Sequence, residues 1–398
     1  MAKRSSDVDA LVKGLVSPQK DEQIEGLLNA ALTEPLPVEE RLRQVERVLE
    51  TLRGLGLFKR DDLQNLHLLL TIGRTYERLS HLEKAYEVYQ TALALAERLE
   101  DAGGCAALLN RIGKVLSKWN RWEEALDYLD RSWKAYQELC DEQGQAGTML
   151  DRGIILHEQG NFIAAEEVYE TALDLAQRIG DQKIIANANN NLAVLAAIRG
   201  DFNESVMRYQ TCLAICQEVG DIGGTARAYH NLGMTHADKR DWNAAVDCYE
   251  RAFGIAQEQG LLDVMANIYL SRAELMLEWE DSSMSASFCA RALDICRKIG
   301  NHLVEAEAYR LLGRAFTQRR QWATAIRLFQ DSLRLNEEYN NPLNLAETHR
   351  DMGKMHAAKG HRAKARASFE AALAGFRKLG AKADVAEVER LIEALGKG

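Results

Sequence analysis

Two stretches of the sequence share one pattern: GNFIAAEEVYETALDLAQRIG at residues 160–180 and GDFNESVMRYQTCLAICQEVG at residues 200–220. In both, a small residue lies four positions before a tyrosine, Tyr169 or Tyr209, and another lies three positions after it. Side chains at this spacing share one face of an α-helix. The pattern therefore predicts a helix that a neighbouring helix approaches closely.

The same pattern recurs along most of the chain at an interval of 40 residues. A small residue marks each copy: Gly73, Gly113, Gly153, Ala193, Gly233, Ala273, Gly313 and Gly353. A bulkier residue follows 16 positions later: Tyr89, Leu129, Tyr169, Tyr209, Tyr249, Cys289, Phe329 and Phe369. A fixed period of this length is the signature of a repeat array. Eight helical hairpins over about residues 65–384 are predicted.

Composition favours helix and limits the function classes. Only 4 prolines occur in 398 residues, three of them before residue 40, so an all-α chain is expected. The net charge of −9 argues against nucleic acid or an anionic membrane surface as the general partner. No window approaches the roughly 20 apolar residues of a membrane span. Seven cysteines without a CxxC pair indicate a reducing compartment, and we expect a cytoplasmic protein.

These series resemble the tetratricopeptide repeat in its longer form of about 40 residues. The resemblance implies a right-handed α-solenoid of eight tandem helical hairpins with capping helices at both ends. The first helix of each hairpin would line a concave groove, which is the surface that such solenoids use for binding. The repeat is a scaffold for many unrelated proteins, so it specifies the fold far better than the function.

The ends of the chain differ from the array. Residues 1–60 are predicted to form an N-terminal helical cap with helices at about 6–16, 20–33 and 37–55. Residues 61–384 would hold the eight repeats. Residues 385–398 would form a C-terminal capping helix, with four apolar side chains facing inward: Val385, Val388, Leu391 and Ile392.

Asparagines are the first candidates for a binding site. If the small residue that marks each repeat is called position 8, the resemblance places positions 2, 5, 6, 9, 12 and 13 on the concave wall. Seven polar residues of repeats four to six fall there: Asn187, Asn190, Asn191, Arg227, His230, Asn231 and Asn267. A carboxamide can donate and accept, so a row of them can hold the main chain of a protein or peptide ligand. The alternative interpretation is a solvated helix face, and Asn189, at position 4, is expected to pack or cap locally.

Cations near both ends of the predicted groove are the second candidates. They are Arg74, Arg78, Arg111 and Lys114 in the first two repeats, and Arg310, Arg314, Arg350 and Lys354 in the last two. The acidic groups of a bound segment could form ion pairs with these cations. The alternative is that these cations pair with carboxylates of neighbouring helices, such as Glu307, Glu347 and Asp351.

The sequence lacks recognisable catalytic, metal-binding and phosphate-binding motifs. It has no glycine-rich phosphate loop, no HExxH, no metal-ligand spacing and no nucleophile motif, so no cofactor and no catalysis are expected. The prediction is a non-enzymatic adaptor that binds a linear, partly acidic segment, similar to spindle-orientation adaptors and kinesin light chains. Two alternatives stay open. One is a peptide-controlled regulator similar to Rap-type receptors, with residues 1–60 as effector part. The other is an architectural subunit that self-associates.

Overall fold

A computed structural model describes residues 62–79 and 81–396, together with the single positions 43 and 46. The described residues divide between two compact units, Met1–Ile155 and Leu156–Gly398. The predicted cap at residues 1–60 lies outside the described residues except for positions 43 and 46. All regular secondary structure in the described part is α-helical, which confirms the all-α prediction.

Helices follow one another in pairs. The first unit holds α1 (Leu63–Arg78), α2 (Leu82–Arg98), α3 (Ala102–Lys118), α4 (Trp122–Glu138) and most of α5 (Glu142–Glu158). The second unit holds α6 (Phe162–Ile179), α7 (Gln182–Arg199), α8 (Phe202–Glu218), α9 (Ile222–Asp238), α10 (Trp242–Glu258), α11 (Leu262–Glu278), α12 (Ser282–Ile299), α13 (His302–Gln318), α14 (Trp322–Glu338), α15 (Pro342–Ala358), α16 (Arg362–Leu379) and α17 (Lys382–Gly396). The pairs α1/α2, α3/α4 and α7/α8 to α15/α16 pack as predicted for the hairpins of an α-solenoid, and α5 and α6 cover the sequence positions predicted for the third hairpin.

Chain reversals occur every 20 residues and have one backbone geometry. A residue just beyond the helix has a positive φ at positions 100, 120, 140 and so on to 380, and glycine occupies eight of these positions. Asp or Asn then caps many of the following helices; the Asp181 carboxylate, for example, accepts a hydrogen bond from the Ile184 N–H at 3.0 Å. Such a cap contributes about 1 kcal/mol to helix stability. Local chemistry therefore sets where each helix ends and the next begins.

Arg320 is one of the non-glycine residues at these reversals, with φ of 58° and an exposed side chain. Left-handed backbone is unfavourable for a residue with a Cβ, so Arg320→Gly is expected to raise the free energy of unfolding by about 0.5–1 kcal/mol. Urea denaturation followed by circular dichroism measures the change. Arg320→Ala keeps the Cβ and serves as the control; an equal gain from alanine would contradict the explanation.

In five hairpins, a glycine of the first helix makes room for the bulky residue of the second helix. A Cβ added to Gly313 would lie 2.6 Å from Cε1 of Phe329, and one added to Gly233 would lie 2.7 Å from Cδ1 of Tyr249. Both aromatic side chains are fully or almost fully buried. The 16-residue offset between the two series is therefore a direct packing contact inside these hairpins.

Helix α17 follows the last hairpin and covers it. Val388 is fully buried, and Val385, Leu391 and Ile392 pack with it against a cluster that includes Phe369 and Phe376. These are the four side chains for which the sequence predicted an inward orientation. The last apolar surface of the array is thus covered by the chain itself.

Candidate functional site

The candidate site lies on the first helices of three consecutive hairpins in the second unit, α7, α9 and α11. We call the surface formed by their positions 2, 5, 6, 9, 12 and 13 the central face. It contains all seven polar candidates of repeats four to six. Its geometry is set by side-chain contacts between these helices, described below.

Helix α7 tolerates its asparagines because its ends are well capped and its packing is apolar. Asp181 caps the first turn, and Gly200 ends the helix in the left-handed conformation. Asn189 is buried and donates from Nδ2 to the Ile185 carbonyl at 2.9 Å. It is therefore held inside its own helix, as the sequence suggested, and takes no part in the central face.

Asn190, Asn191 and Asn231, here called the asparagine ladder, form a continuous hydrogen-bonded chain. Nδ2 of Asn231 donates to Oδ1 of Asn190 at 3.0 Å, and Nδ2 of Asn190 donates to Oδ1 of Asn191 at 3.2 Å. The amides fix one another's orientation across α7 and α9. In the described part, the Asn191 Nδ2 group is left as a donor, whereas Asn231 also has a side-chain hydrogen bond with His230. Each amide nitrogen carries two N–H groups and each amide oxygen two lone pairs, so the ladder keeps donors and acceptors of the kind that a peptide unit requires.

The remaining polar candidates of the central face differ in their availability. Asn187 and Arg227 are exposed and Asn267 is half-buried, and none of the three has a hydrogen bond or ion pair within the described residues. His230 is different, because its Nε2 atom lies 2.8 Å from Oγ of Ser271. Burial lowers the pKa of His230 to about 4, so its imidazole is neutral near pH 7.

An apolar patch lies one helical turn beyond the ladder and was missed by the sequence interpretation. It consists of Val194, Ile198 and Met234, at positions 9 and 13. Ile198 is 45% exposed and Met234 is 46% exposed, while Val194 is half-buried. The Asn190–Asn231 hydrogen bond fixes the register of α7 against α9, so Val194 and Met234, one turn further, are neighbours. The same position rule that found the asparagines could have found these residues.

Asp238 ends α9 beside this patch and has no ion pair or hydrogen bond among the described residues. Its residue is exposed overall. Partial loss of solvent around the carboxylate, followed by the negative charge of Glu274, raises the pKa of Asp238 to about 6. Glu274 itself is paired with Arg314 at 2.7 Å. Asp238 is thus an acidic group of the central face without a cation of its own.

The cations of the first unit lie near two carboxylates. Lys118 and Arg111 approach Glu77 at 2.6 and 3.9 Å, and Lys114 lies 2.9 Å from Asp151. Arg74 is exposed and has no ion pair in the described part. The side chain of Arg78 lies outside the described residues.

Two of the four cations of the last two repeats belong to a network that we call the C-terminal charge cluster: Glu307, Arg310, Glu347, Arg350 and Asp351. Arg310 is only 4% exposed, and its guanidinium contacts Asp351 at 2.7 Å, Glu307 at 2.5 Å and Glu347 at 3.5 Å. The sequence interpretation placed Arg310 on an accessible binding wall. The structure instead buries it among carboxylates, because Glu307 lies one turn before it on α13 and the neighbouring first helix, α15, supplies Glu347 and Asp351.

Arg350 has further ion pairs outside the cluster, and the two remaining cations at this end are also paired. Arg350 contacts Asp384 at 2.6 Å and Glu387 at 3.1 Å, and Lys354 contacts Glu387 at 2.8 Å. Arg314 bridges Glu274 and Glu278. The alternative interpretation of these cations, pairing across adjacent helices, describes the observed geometry. Any acidic ligand at this end would have to displace carboxylates of the protein.

Two other features are absent from the described residues. No group of three His, Cys, Asp or Glu side chains there is arranged to hold a metal ion. None of the described helices combines the length and the apolar character needed to span a bilayer.

Family models identify the repeats. Models described as tetratricopeptide repeat match residues 64–138, 184–258 and 264–338, and a second such model matches residues 145–179. Together they cover more than half of the chain. The chain therefore belongs to the tetratricopeptide repeat family. No curated protein sequence matches it.

Solved structures with a similar fold include a conjugation gene regulator, a phosphatase and a Rap protein. The Rap conjugation gene regulator of plasmid pLS20, in complex with the Phr* peptide, is 12% identical with a TM-score of 0.61, covering 90% of this chain and 96% of that one. Aspartyl phosphate phosphatase F from Bacillus subtilis is 11% identical with a TM-score of 0.58, covering 90% and 94%. A Rap protein complexed with competence and sporulation factor is 14% identical with a TM-score of 0.57, covering 84% and 98%. At these identities the likeness concerns the fold.

Proposed function

We propose that this chain is a non-enzymatic, cytoplasmic adaptor that holds a linear segment of a partner protein against its central face. The observation that carries the proposal is the asparagine ladder, whose mutually oriented amides keep donor and acceptor groups for a backbone. Asn187, Arg227 and Asn267 add polar groups without partners in the described part around it. Solenoids of stacked repeats bind extended segments on such surfaces.

The acidic character expected of the segment has support at two residues only. Arg227 and Arg74 are exposed cations without ion pairs in the described part of the chain. The cations of the C-terminal charge cluster already have carboxylate partners. We therefore retain an acidic group in the segment opposite Arg227 and assign Arg310, Arg314, Arg350 and Lys354 to the structure of the array.

The ladder is tested by Asn190→Ala/Asn191→Ala/Asn231→Ala. Partners are captured from a lysate of the source cells, identified by mass spectrometry and purified, and their affinity is measured by isothermal titration calorimetry. Loss of two backbone hydrogen bonds, at about 0.5–1.5 kcal/mol each, is expected to weaken binding by about fivefold to a hundredfold.

Asn243→Ala provides a matched control, because Asn243 is exposed on the second helix of its hairpin and has no hydrogen bond in the described part. The control should bind like the wild type, and thermal unfolding should confirm that all three proteins are equally folded. Unchanged affinity of a folded triple variant would show that the ladder is a solvated face.

A second candidate is a peptide-controlled regulator. The likeness to a Rap structure solved with the Phr* peptide, over 90% of this chain, favours considering it. In such a protein, a short peptide on the central face would alter the binding of a second protein elsewhere. The two candidates are separated by adding a peptide that binds the ladder to a complex of the chain with its captured partner. In a simple adaptor, the partner itself binds the ladder, so the peptide displaces it by competition and the triple variant does not bind it. In a regulator, the partner binds elsewhere, so the peptide releases it although the triple variant still binds it. An architectural subunit would instead self-associate, so its molecular mass in solution would increase with protein concentration, and the triple variant would self-associate equally.

A further inference from the structure

The central face has a second half beyond the ladder, and its chemistry differs from that of the asparagines. Val194, Ile198 and Met234 lie on successive turns of two neighbouring helices, and two of them expose close to half of their surface. A single exposed apolar side chain is ordinary, whereas a contiguous patch beside oriented polar groups is typical of a ligand site.

Charge around the apolar patch is negative. Asp238 borders it without a partner in the described residues, and Glu274 and Glu278 share the single guanidinium of Arg314. Lys239, the next cation along the chain, donates to Oδ1 of Asn203 at 3.1 Å. Arg199, which follows Ile198, is paired with Glu166 and Glu204.

Backbone electrostatics act in the same direction. The patch lies at the C-terminal ends of α7 and α9, and Asp238 is the last residue of α9. The C-terminal end of a helix carries a partial negative charge from unpaired carbonyl groups and favours a cation. The side chains and the helix ends therefore both produce a negative potential beside the apolar patch.

We propose that the segment bound at the ladder places an apolar side chain on Val194, Ile198 and Met234 and an adjacent lysine or arginine against Asp238. The inference rests on the proposed function, because the ladder positions the backbone from which both side chains project. The inference orders the groups of the bound segment along the helices. An acidic group lies near Arg227, towards the N-terminal ends of the helices, and the apolar and basic side chains lie towards their C-terminal ends.

A phage-displayed library of random dodecapeptides tests this pairing directly, because the selected sequences themselves show which side chains the central face binds. The full chain is used as bait, in parallel with the triple ladder variant, Ile198→Ser/Met234→Ser, Asp238→Lys and the control Glu167→Lys. Glu167 is exposed on the second helix of its hairpin, and its side chain has no ion pair in the described residues. Selected peptides are then synthesised and their affinities measured by fluorescence anisotropy.

The wild type and Glu167→Lys are expected to select peptides in which Leu, Ile, Met or Phe adjoins Lys or Arg. Ile198→Ser/Met234→Ser should weaken these peptides by about tenfold, as expected for the loss of one apolar contact of a few methylene groups. Asp238→Lys should lose the preference for the basic residue and select Asp or Glu instead.

Three outcomes would overturn the inference. Ladder-dependent peptides without the apolar–basic pair would leave the proposed function standing and refute the inference alone. No ladder-dependent peptide at all would refute both. Dimerisation of the wild type that Met234→Asp abolishes would assign the apolar patch to a second copy of the chain.

The pH dependence of peptide affinity gives an independent test of the contact between Asp238 and the basic residue of the peptide. The titratable groups facing Asp238 are the charged Glu274 from α11 and two tyrosines that stay neutral, Tyr209 from α8 and Tyr249 from α10. Because the pKa of Asp238 is about 6, its charge is mostly lost at pH 5.5, and a basic peptide should bind about fourfold more weakly there than at pH 7.5. Asp238→Asn should remove this pH dependence; a persisting dependence would assign it to another group.

Discussion

Replacing Arg310 with methionine is expected to lower the free energy of unfolding of the last repeats by about 3–5 kcal/mol, because it removes the nearest cation from the buried carboxylate of Asp351 and the half-buried carboxylate of Glu307. Arg310 is 4% exposed and Asp351 is also 4% exposed, so water cannot replace the lost guanidinium. Glu307 loses a contact of 2.5 Å and Asp351 one of 2.7 Å. Methionine fills much of the volume, which limits the loss to electrostatics.

Hydrogen exchange resolved along α13 to α15 is the appropriate measurement, since a repeat array need not unfold in a single step. Arg334→Met is the matched control: Arg334 is 62% exposed and pairs with Glu338 one turn away, a contact worth about 0.3–0.5 kcal/mol. If both substitutions had equally small effects, the charge cluster would not contribute to the stability of the array.

The pH dependence of the Arg310 effect has a defined sign. Burial raises the pKa of Asp351, but Arg310 and the other nearby cations outweigh it and hold this pKa below the ordinary value of 3.8. A carboxyl with a lowered pKa stabilises the folded state fully above its ordinary value and loses that contribution as the pH falls through the lowered value. The unfolded state is the same for both proteins, so the stability difference between wild type and Arg310→Met should narrow as the pH falls from the Asp351 pKa of the variant, which lacks this cation, to the lowered pKa of the wild type.

Phe329→Ala is expected to have an effect of similar size, about 3–5 kcal/mol, through a cavity. Phe329 is fully buried, lies against Gly313 of the facing helix and packs with Met355 of the following hairpin. The cavity would thus weaken both the hairpin and its contact with the next one. Hydrogen exchange should report faster opening of α13 to α15.

Phe329→Leu keeps most of the volume and should cost less than about 1.5 kcal/mol. The contact with Gly313 predicts a further result, since Gly313→Ala would place a Cβ against the ring and Phe329→Leu would relieve that clash in part. The two substitutions together should therefore cost less than the sum of their separate effects. Additive effects would contradict a direct contact between the two positions.

Local spacing explains why the fold could be predicted from the sequence. Small and bulky residues 16 positions apart, such as Gly313 and Phe329, meet inside one hairpin, and aspartates such as Asp181 cap the helix that follows them directly. Each of these contacts lies within one repeat. A periodic sequence repeats them, so the hairpin, its turns and its number of copies follow from the order of residues.

The sequence could also place side chains on a helix face, but not say what they meet there. Asn190 and Asn231 are 41 positions apart, and so are Arg310 and Asp351; both pairs form because first helices of neighbouring hairpins lie side by side. In the asparagine pair the contact orients the two amides. In the Arg310–Asp351 pair it forms an ion pair with a cation that the sequence interpretation had assigned to binding. Likewise, Ile198 and Met234 have the same residue types as core positions, and only their exposure shows that they remain uncovered.

The sequence by itself thus determined the period, the helical hairpins and the candidate face, because those depend on contacts within about 20 to 40 residues. Tertiary structure alone decided which groups of that face have no partner in the described part, Asp238 and Arg227, and which are already paired, Arg310 and Arg350. The physical reason is that the availability of a polar group depends on its partners in the next hairpin, and the identity and distance of those partners are fixed only when the helices pack.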